Sequence, residues 1–427
     1  MLVFVFHAEH TPLLQQTVKS VQAVDADWCV IPVTRHAAAV MNERLASYGE
    51  TYFLTLHAGD RLSSSFRAEV SGKLQPLSED VAVVFFSPPG GESAAEPGDF
   101  WQNCAALWRT RAVLEAGGFP GPEELPIEEY LLLGMAEKLK VSGSCVFVES
   151  FSWEPTLWPG SAWRKGEMEW SLLRPFLQAG GSAPYRLDSP RVSVVICSYN
   201  DASYLPFAIR SVFSQTMADW ELIVIDDGSR DETRAILKRF ERESRVHCVF
   251  NPENAGKGYS LNRALDVACG EWLLELDADD WLAPDCLAAL LETAGTLDPS
   301  VAVVYADHFE WIESKREQLV YHRMIQAPSS LSPQVLLSTG IPVAPRMCRA
   351  SILKGEGGWL TSDPFEGRLY EDIQMVVRLL RKGYSFCYIP KALYHRRLRP
   401  FSMTHRHSER YPVWKSWMEE LKEPPPF

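Results

Sequence analysis

The chain has 427 residues, a formal net charge of −13 and 46% hydrophobic residues. This length suits two or three domains, and the apolar content allows full cores. The acidic balance argues against nucleic acid as a partner, because phosphate-backbone binding needs a broad basic face. Nine cysteines without a C-x-x-C pair argue against both a zinc site and a disulfide framework.

The first residues, Met1-Leu2-Val3-Phe4-Val5-Phe6-His7, lack a basic flank and are too short for a signal peptide. No stretch of about 18 apolar residues occurs, so no membrane span is expected, and the expected location is cytoplasmic. Residues 1–150 carry apolar, strand-like runs and read as one domain. Residues 151–190 form a bridge rich in tryptophan (Trp153, Trp158, Trp163 and Trp170). Such residues serve interdomain contacts more often than sugar-binding surfaces. Gly180-Gly181-Ser182-Ala183-Pro184 is the expected hinge.

Val192-Ser193-Val194-Val195-Ile196-Cys197 is a β-branched run of buried-strand type ending in Ser198-Tyr199-Asn200. Leu205, Ile209, Val212 and Phe213 then fall at helical spacing. A second buried strand, Glu221 to Ile225, stops at Asp226-Asp227-Gly228-Ser229. A helix over roughly Glu232 to Arg242 and a third strand over Arg245 to Asn251 follow. Strand, helix, strand, helix, strand is the pattern of a parallel α/β sheet. In open sheets of this kind ligands lie at the carboxyl ends of the strands.

The apolar run Leu274-Glu275-Leu276 ends in Asp277-Ala278-Asp279-Asp280. In an extended segment Asp277 and Asp279 face one way and Ala278 the other. Two carboxylates held that close repel unless a cation or protons sit between them. Oxygen ligands at a strand end suit Mg²⁺ or Mn²⁺, which take one or two protein carboxylates and fill the remaining sites with phosphate oxygens and water. A solvated acidic turn would use the same residues. Further on, Glu371-Asp372 opens an amphipathic helix carrying Ile373, Val376, Val377, Leu379 and Leu380. Acidic residues in a first turn also suit the helix dipole alone.

The series Val-Ser-Val-Val-Ile…Tyr199-Asn200, Ile225-Asp226-Asp227-Gly228-Ser229, Asn254-Ala255-Gly256-Lys257, Asp277-Ala278-Asp279 and Glu371-Asp372 resembles the family 2 inverting glycosyltransferases of the GT-A fold. Bacterial spore-coat and capsule polysaccharide enzymes belong to that family. The resemblance covers about residues 191–404. It implies a Rossmann-like nucleotide-diphospho-sugar transferase fold and transfer of a sugar from a UDP- or dTDP-linked donor to a carbohydrate or glycoconjugate hydroxyl. Tyr199, with Asn200 beside it, then corresponds to the aromatic that stacks on the donor base. Asp227 matches the carboxylate that accepts the N3–H of uracil. Asp226, on the opposite side of the strand from Asp227, is expected to cap the next helix. Lys257 and Arg263 fall where the family contacts ribose and phosphate; a flexible loop and a helix face account for them equally well. Asp277 corresponds to the ribose- or metal-adjacent carboxylate, Asp279 to the metal ligand, and Asp280 to the following turn. Asp372 corresponds to the general base, with Glu371 beside it. Many relatives carry a metal-site histidine after the segment equivalent to Leu393-Tyr394. Here Arg399 takes that position, with Arg397 nearby. Arginine cannot ligate a metal but pairs with a diphosphate bidentately. His395 and His405 are expected at the surface or on phosphate. Membrane spans and a Gln-x-x-Arg-Trp motif, usual in processive members, do not occur, so single-sugar transfer is expected. No motif marks the acceptor site, which would draw on segments such as His308 to Leu337.

The first half resembles a worn copy of the second. Lys19-Ser20-Val21 and Ala26-Asp27-Trp28 echo Arg210-Ser211-Val212 and Ala218-Asp219-Trp220. Leu54 to Leu62 echoes the Asp277 strand, and Gly117-Gly118-Phe119 echoes Gly357-Gly358-Trp359. Glu128-Glu129 echoes Glu371-Asp372. Thr34-Arg35 replaces Asp226-Asp227, and His57 and Gly59 replace Asp277 and Asp279. Residues 1–150 are therefore expected to be a GT-A-like domain without catalysis, packed on the catalytic half or on a second subunit of a homodimer. Residues 405–427 read as a short amphipathic helix near Tyr411 to Leu421 followed by a Pro-rich end. Two other functions stay open. A sugar-phosphate nucleotidyltransferase should carry a glycine-rich basic loop after its first strand. A non-catalytic carbohydrate-binding scaffold would leave the acidic series without a purpose.

Overall fold

Runs of β-branched and aromatic residues form the strands of two main sheets. One sheet lies in each of two units, Met1–Gln178 and Ala179–Phe427, of the computed structural model of the chain. The structure describes the chain apart from residues 7–11, 35–36, 76–77, 79, 88–103, 122–123, 125–129, 141–143, 156–162, 179–189, 241–242, 314–318, 341–342, 400–407 and 422–427. Arg35, Glu128, Glu129, Trp158, His405 and the expected hinge at 180–184 therefore lie outside the described residues.

In the first unit the strands are β1 (Leu2–Phe6), β2 (Cys29–Val33), β3 (Tyr52–His57), β4 (Arg61–Leu62), β5 (Val81–Ser87), β6 (Ala106–Arg109), β7 (Ser144–Glu149) and β8 (Trp153–Glu154). The helices are α1 (Pro12–Val24), α2 (Ala37–Ala46), α3 (Phe66–Leu74), α4 (Thr110–Glu115), α5 (Leu131–Leu139) and α6 (Trp163–Gln178). The sheet order is β2-β1-β3-β6-β5-β7, with β4 and β8 paired separately. β1 runs parallel to β2 and β3, and β6 runs antiparallel to both β3 and β5. Trp153 and Trp170 are buried. Trp170 stacks on Tyr130 at 5.7 Å, and Arg174 pairs with Glu137 at 3.0 Å, so α6 is fastened to α5 within this unit.

The second unit contains β9 (Val192–Ser198), β10 (Trp220–Asp226), β11 (Val246–Phe250), β12 (Trp272–Asp277), β13 (Trp281–Leu282), β14 (Val301–Glu313), β15 (Leu319–Ile325), β16 (Arg346–Arg349) and β17 (Ser385–Leu398). Its helices are α7 (Leu205–Phe213), α8 (Thr233–Lys238), α9 (Lys257–Val267), α10 (Cys286–Ala294), α11 (Pro333–Thr339), α12 (Ala350–Gly355), α13 (Glu371–Arg381) and α14 (Tyr411–Glu420). The parallel sheet expected from the strand–helix alternation is present as β11-β10-β9-β12. Beyond β12 the sheet becomes mixed. β16 enters antiparallel between β12 and β14, β17 lies parallel to β14, and β13 joins the far end of β17.

The central strands are buried on both faces, so their side chains divide by parity. Val192, Val194, Ile196, Leu274 and Leu276 pack with α7 and α10. Val195, Ile223, Ile225 and Leu273 pack on the other face with α9, α13 and α14. At the amino ends of the strands Glu221, buried in β10, accepts from Ser193 Oγ at 2.6 Å and from the amides of Cys269 and Gly270 at 2.7 and 3.2 Å. A Cβ on Gly270 would lie 2.5 Å from the Ser193 nitrogen, so only glycine lets the chain pass there.

Candidate active site

Each apolar strand of the parallel block stops at a polar residue, and those stops share one rim of the sheet. After β9, Tyr199 is 43% exposed. Asn200 adopts a left-handed backbone (φ 56). Its amide donates to Ser229 Oγ at 3.0 Å and its Oδ1 accepts from the Arg230 amide at 2.8 Å. Asp226 accepts from the Ser229 amide at 2.9 Å. Asn200 and Asp226 thus shape the turn after β10; Asp226 caps this turn rather than the next helix, which starts only at Thr233.

Asp227 is buried and holds the next loop. It accepts from Asn251 Nδ2 at 2.6 Å, the Ala255 amide at 2.9 Å and the Gly256 amide at 2.8 Å. Gly256 has φ 96, a conformation side chains resist. Arg263 donates to Asn251 Oδ1, so its contact with the site runs through Asn251. Neither Asn251 nor its link to Asp227 was marked by a motif.

Lys257 at the start of α9 stands between two acids, 2.6 Å from Asp277 Oδ1 and 3.1 Å from Glu371 Oε1. Burial alone would raise the Asp277 carboxyl, but the Lys257 ammonium outweighs it and holds the group down at about 2. Burial pushes Glu371 up to about 7, with Asp372 adding to the rise and Lys257 opposing it. Asp372 is partly buried, and its charge is felt by Lys257, Arg346 and Tyr411. Arg346 is itself buried against Glu275 on the Asp277 face of β12, with an Nε–Oε1 distance of 3.0 Å.

Asp279 pairs with Arg399, 2.6 Å from its Nε, and Arg399 also donates to Asp201 at 2.8 Å. Burial pushes Asp279 up to about 6 against the pull of Arg399. Arg397 donates through Nε to the Asp279 carbonyl at 3.0 Å. The Tyr204 ring lies 4.7 Å from the Arg397 guanidinium and 4.8 Å from that of Arg399, and its hydroxyl donates to Glu313 at 3.1 Å. Asp280 points inward and accepts from the Tyr394 hydroxyl at 2.8 Å and the Arg397 amide at 2.7 Å. His395 departs from its expected surface position. It is buried, stacked on Trp281 at 5.1 Å, accepts from Trp311 Nε1 at 3.1 Å and is held down at about 3 by burial. Asp201, Tyr204, Glu313 and Tyr394 carried no sequence signal.

Among the described residues no group of three or more His, Cys, Asp and Glu side chains is arranged to hold a metal ion. The two carboxylates Asp277 and Asp279 remain, one about half exposed and one mostly buried. Two hard oxygen donors fit a Mg²⁺ or Mn²⁺ whose other ligands come from a diphosphate and water.

Residues 193–350 match the model of glycosyl transferase family 2. Over that segment the chain is similar to family 2 glycosyltransferases. Over 124 residues it is 33% identical to the putative glycosyltransferase EpsH of Bacillus subtilis, covering 29% of this chain and 36% of that protein. Over 104 residues it is 40% identical to the putative teichuronic acid biosynthesis glycosyltransferase TuaG of the same organism, covering 24% and 41%. The chain thus spans less than half the length of these two relatives. The mannosyltransferase PcManGT of Pyrobaculum calidifontis, solved with GDP-Man and Mn²⁺, superposes with a TM-score of 0.40 and 19% identity over 61% of this chain and 73% of that one.

Proposed function

We propose that the second unit transfers a single sugar, with inversion, from a UDP- or dTDP-linked donor to a hydroxyl of a carbohydrate or glycoconjugate acceptor in bacterial surface or spore polysaccharide synthesis. The observation that carries this reading is the gathering of Asp227, Lys257, Asp277, Asp279 and Glu371-Asp372 around the carboxyl ends of β9, β10 and β12. The family 2 match over residues 193–350, which contain Asp227, Lys257, Asp277 and Asp279, supports the donor side of it.

Tyr199 offers the stacking face for the base. Asp227 spends three of its roughly four acceptor positions on Asn251 and the 255–256 amides, which leaves about one for the N3–H of uracil or thymine. Cytosine has no proton there. Asp277 and Asp279 would hold Mg²⁺ or Mn²⁺, which when bound stabilises the charge that builds on the leaving diphosphate. Arg397 and Arg399 supply further positive charge beside Asp279. As the C1–diphosphate bond breaks, the acceptor oxygen attacks C1 from the opposite face and Asp372 takes its proton. A positioned base of this kind contributes roughly 10²–10⁴-fold. Glu371 is the second candidate for that role, because a carboxyl near 7 suits proton transfer at neutral pH.

The first unit is, on this reading, a GT-A-like copy without donor chemistry, serving contact or acceptor retention. All nine cysteines are free, which suits the reducing cytoplasm as the compartment. Among the described residues no helix is long and apolar enough to cross a membrane.

The test is a panel of UDP-, dTDP- and GDP-sugars with and without Mn²⁺, read by thermal shift and by nucleoside diphosphate release. A stabilisation with UDP or dTDP ligands and a slow metal-dependent hydrolysis are expected. A ligand at 100 times its dissociation constant stabilises by roughly 2.7 kcal/mol. Absence of both responses overturns the reading. Pyrophosphate formation from a sugar phosphate and a nucleoside triphosphate would replace it with a nucleotidyltransferase.

A further inference from the structure

Tyr370, the residue immediately before Glu371, has φ 61 and ψ 20. A non-glycine residue enters this left-handed region only at a cost, and the surrounding structure must hold it there. The chain reverses at this position into the first turn of α13, whose bonding begins with the Gln374 amide donating to the Tyr370 carbonyl at 2.9 Å. The backbone of Tyr370 therefore sets where the Glu371-Asp372 carboxylates begin.

What holds Tyr370 comes from the far end of the sequence. Its ring meets Tyr411 edge-on at 5.1 Å and Trp414 at 5.2 Å, and those two rings stack on each other at 5.7 Å. Both belong to α14. Trp414 and Met418 are fully buried, and Arg381 of α13 donates to the Met418 carbonyl at 2.6 Å. The Tyr411 hydroxyl donates to the Leu337 carbonyl at 3.0 Å, and the Tyr411 ring lies over Gly340, where a Cβ would come within 3.0 Å. The aromatic contact is thus braced from both sides.

We propose that α14, acting through Tyr411 and Trp414 on Tyr370, is a positioning element that fixes the Glu371-Asp372 pair. This rests on the transferase reading, in which that pair removes the acceptor proton. Tyr370 and its α14 braces adjoin the Glu371-Asp372 end of α13 directly and reach Asp277 only through Glu371 and Lys257, so turnover should fall further than nucleotide affinity when they are removed. A small displacement of a catalytic group is costly, on the order of 10²-fold for 1 Å.

The experiment uses the full chain and the variants Tyr370→Ala, Tyr370→Phe and Tyr411→Ala. Uridine diphosphate binding is measured by calorimetry with Mn²⁺. Turnover is measured as hydrolysis of UDP-N-acetylglucosamine, or of whichever UDP- or dTDP-sugar the parent hydrolyses fastest. Tyr370→Ala and Tyr411→Ala are expected to lower kcat by about 10-fold or more, with binding stoichiometry and nucleotide affinity close to parental. Tyr370→Phe, which keeps the ring, should restore most of kcat. Amide exchange at Ile373 and Gln374 should accelerate in the two alanine variants. Parental kcat in both, a fall in affinity parallel to that in kcat, or unchanged exchange would each overturn the proposal. A parent that neither binds nucleotide nor hydrolyses donor would instead sink the transferase reading, and the exchange measurement would then decide the positioning role alone.

Discussion

The two units build their sheets alike and finish their strands differently. β2-β1-β3-β6-β5-β7 in the first unit and β10-β9-β12-β16-β14-β17 in the second share order and direction throughout. Tyr52 pairs with Arg109 as Trp272 pairs with Arg349, and in each case the arginine covers the aromatic ring, at 5.2 and 4.3 Å. The same arginines donate to the carbonyls of Val81 and Val301. Each unit carries a bulge one strand over, between Val81 and Val83 and between Val301 and Val303. Asn42 grips the backbone of Phe119 as Asn262 grips that of Trp359. At the rim the likeness ends. Where Asp277 and Asp279 face Lys257 and Arg399, the first unit has His57 and Gly59, and the Gly59 amide is taken by Thr17 Oγ1 at 2.8 Å. The lesson concerns the third acid. Asp280 is 4% exposed and its counterpart Asp60 is 1% exposed, each in the same turn after its strand. A carboxylate kept where the others are gone reads as part of the turn.

The largest effect should come from the rim. Asp279→Ala is expected to abolish Mn²⁺-dependent binding of uridine or thymidine diphosphate while the protein stays folded, and His57→Ala in the first unit should leave that binding untouched. Equal calorimetric affinities for Asp279→Ala and the parent would remove Asp279 from the site. Asp372→Asn should reduce transfer by roughly 10²-fold or more with near-normal donor binding. If that variant turns over at the parental rate, Glu371→Gln becomes the deciding substitution.

Asp60 and Asp280 should behave as a pair. Replacing Asp280 by Ala strands the Tyr394 hydroxyl and the Arg397 amide, and Asp60→Ala strands the His57 amide, which it now accepts at 2.9 Å. Losses on the order of 1–3 kcal/mol per stranded group are expected in denaturant unfolding. A neutral Asp60→Ala would break the parallel.

A smaller effect follows from Glu371, raised to about 7 in the fold from an ordinary 4.5. The folded state holds this proton more tightly than the unfolded chain, so its contribution is fully present below about 4.5 and is lost as pH rises through about 7. Midpoints for Glu371→Gln and the parent should therefore diverge across that window, the variant losing less. Parallel profiles would argue against the raised carboxyl. At the null end of the scale, residues 1–178 alone should give no metal-dependent shift with any nucleotide sugar, and a clear shift would restore donor chemistry to the first unit.

The parallel block was legible because apolar runs end abruptly in acids, and both signals are local. β16 was not, since its antiparallel entry depends on β14 partners more than 40 positions away and β12 partners more than 70 away, and the Arg346–Glu275 pair it brings spans 71. Tyr394 reaches Asp280 across 114 positions, which no spacing rule anticipates. His395 looked basic and exposed among arginines. Its burial follows from the pairing of β17 with β13, and β13, at only two residues, is too short to show as a pattern.

The knot around Glu221 has a consequence at the opposite pole of the second sheet. With Ser193, Cys269 and Gly270 tied to one buried carboxylate, the amino ends of three parallel strands are clamped at the end opposite the candidate site. The Cys269 and Gly270 amides should exchange with deuterium only through global unfolding, far more slowly than those of the 254–256 loop. The sheet then works like a fan riveted at its base: loops can open and shut at the free edge without the blades losing register.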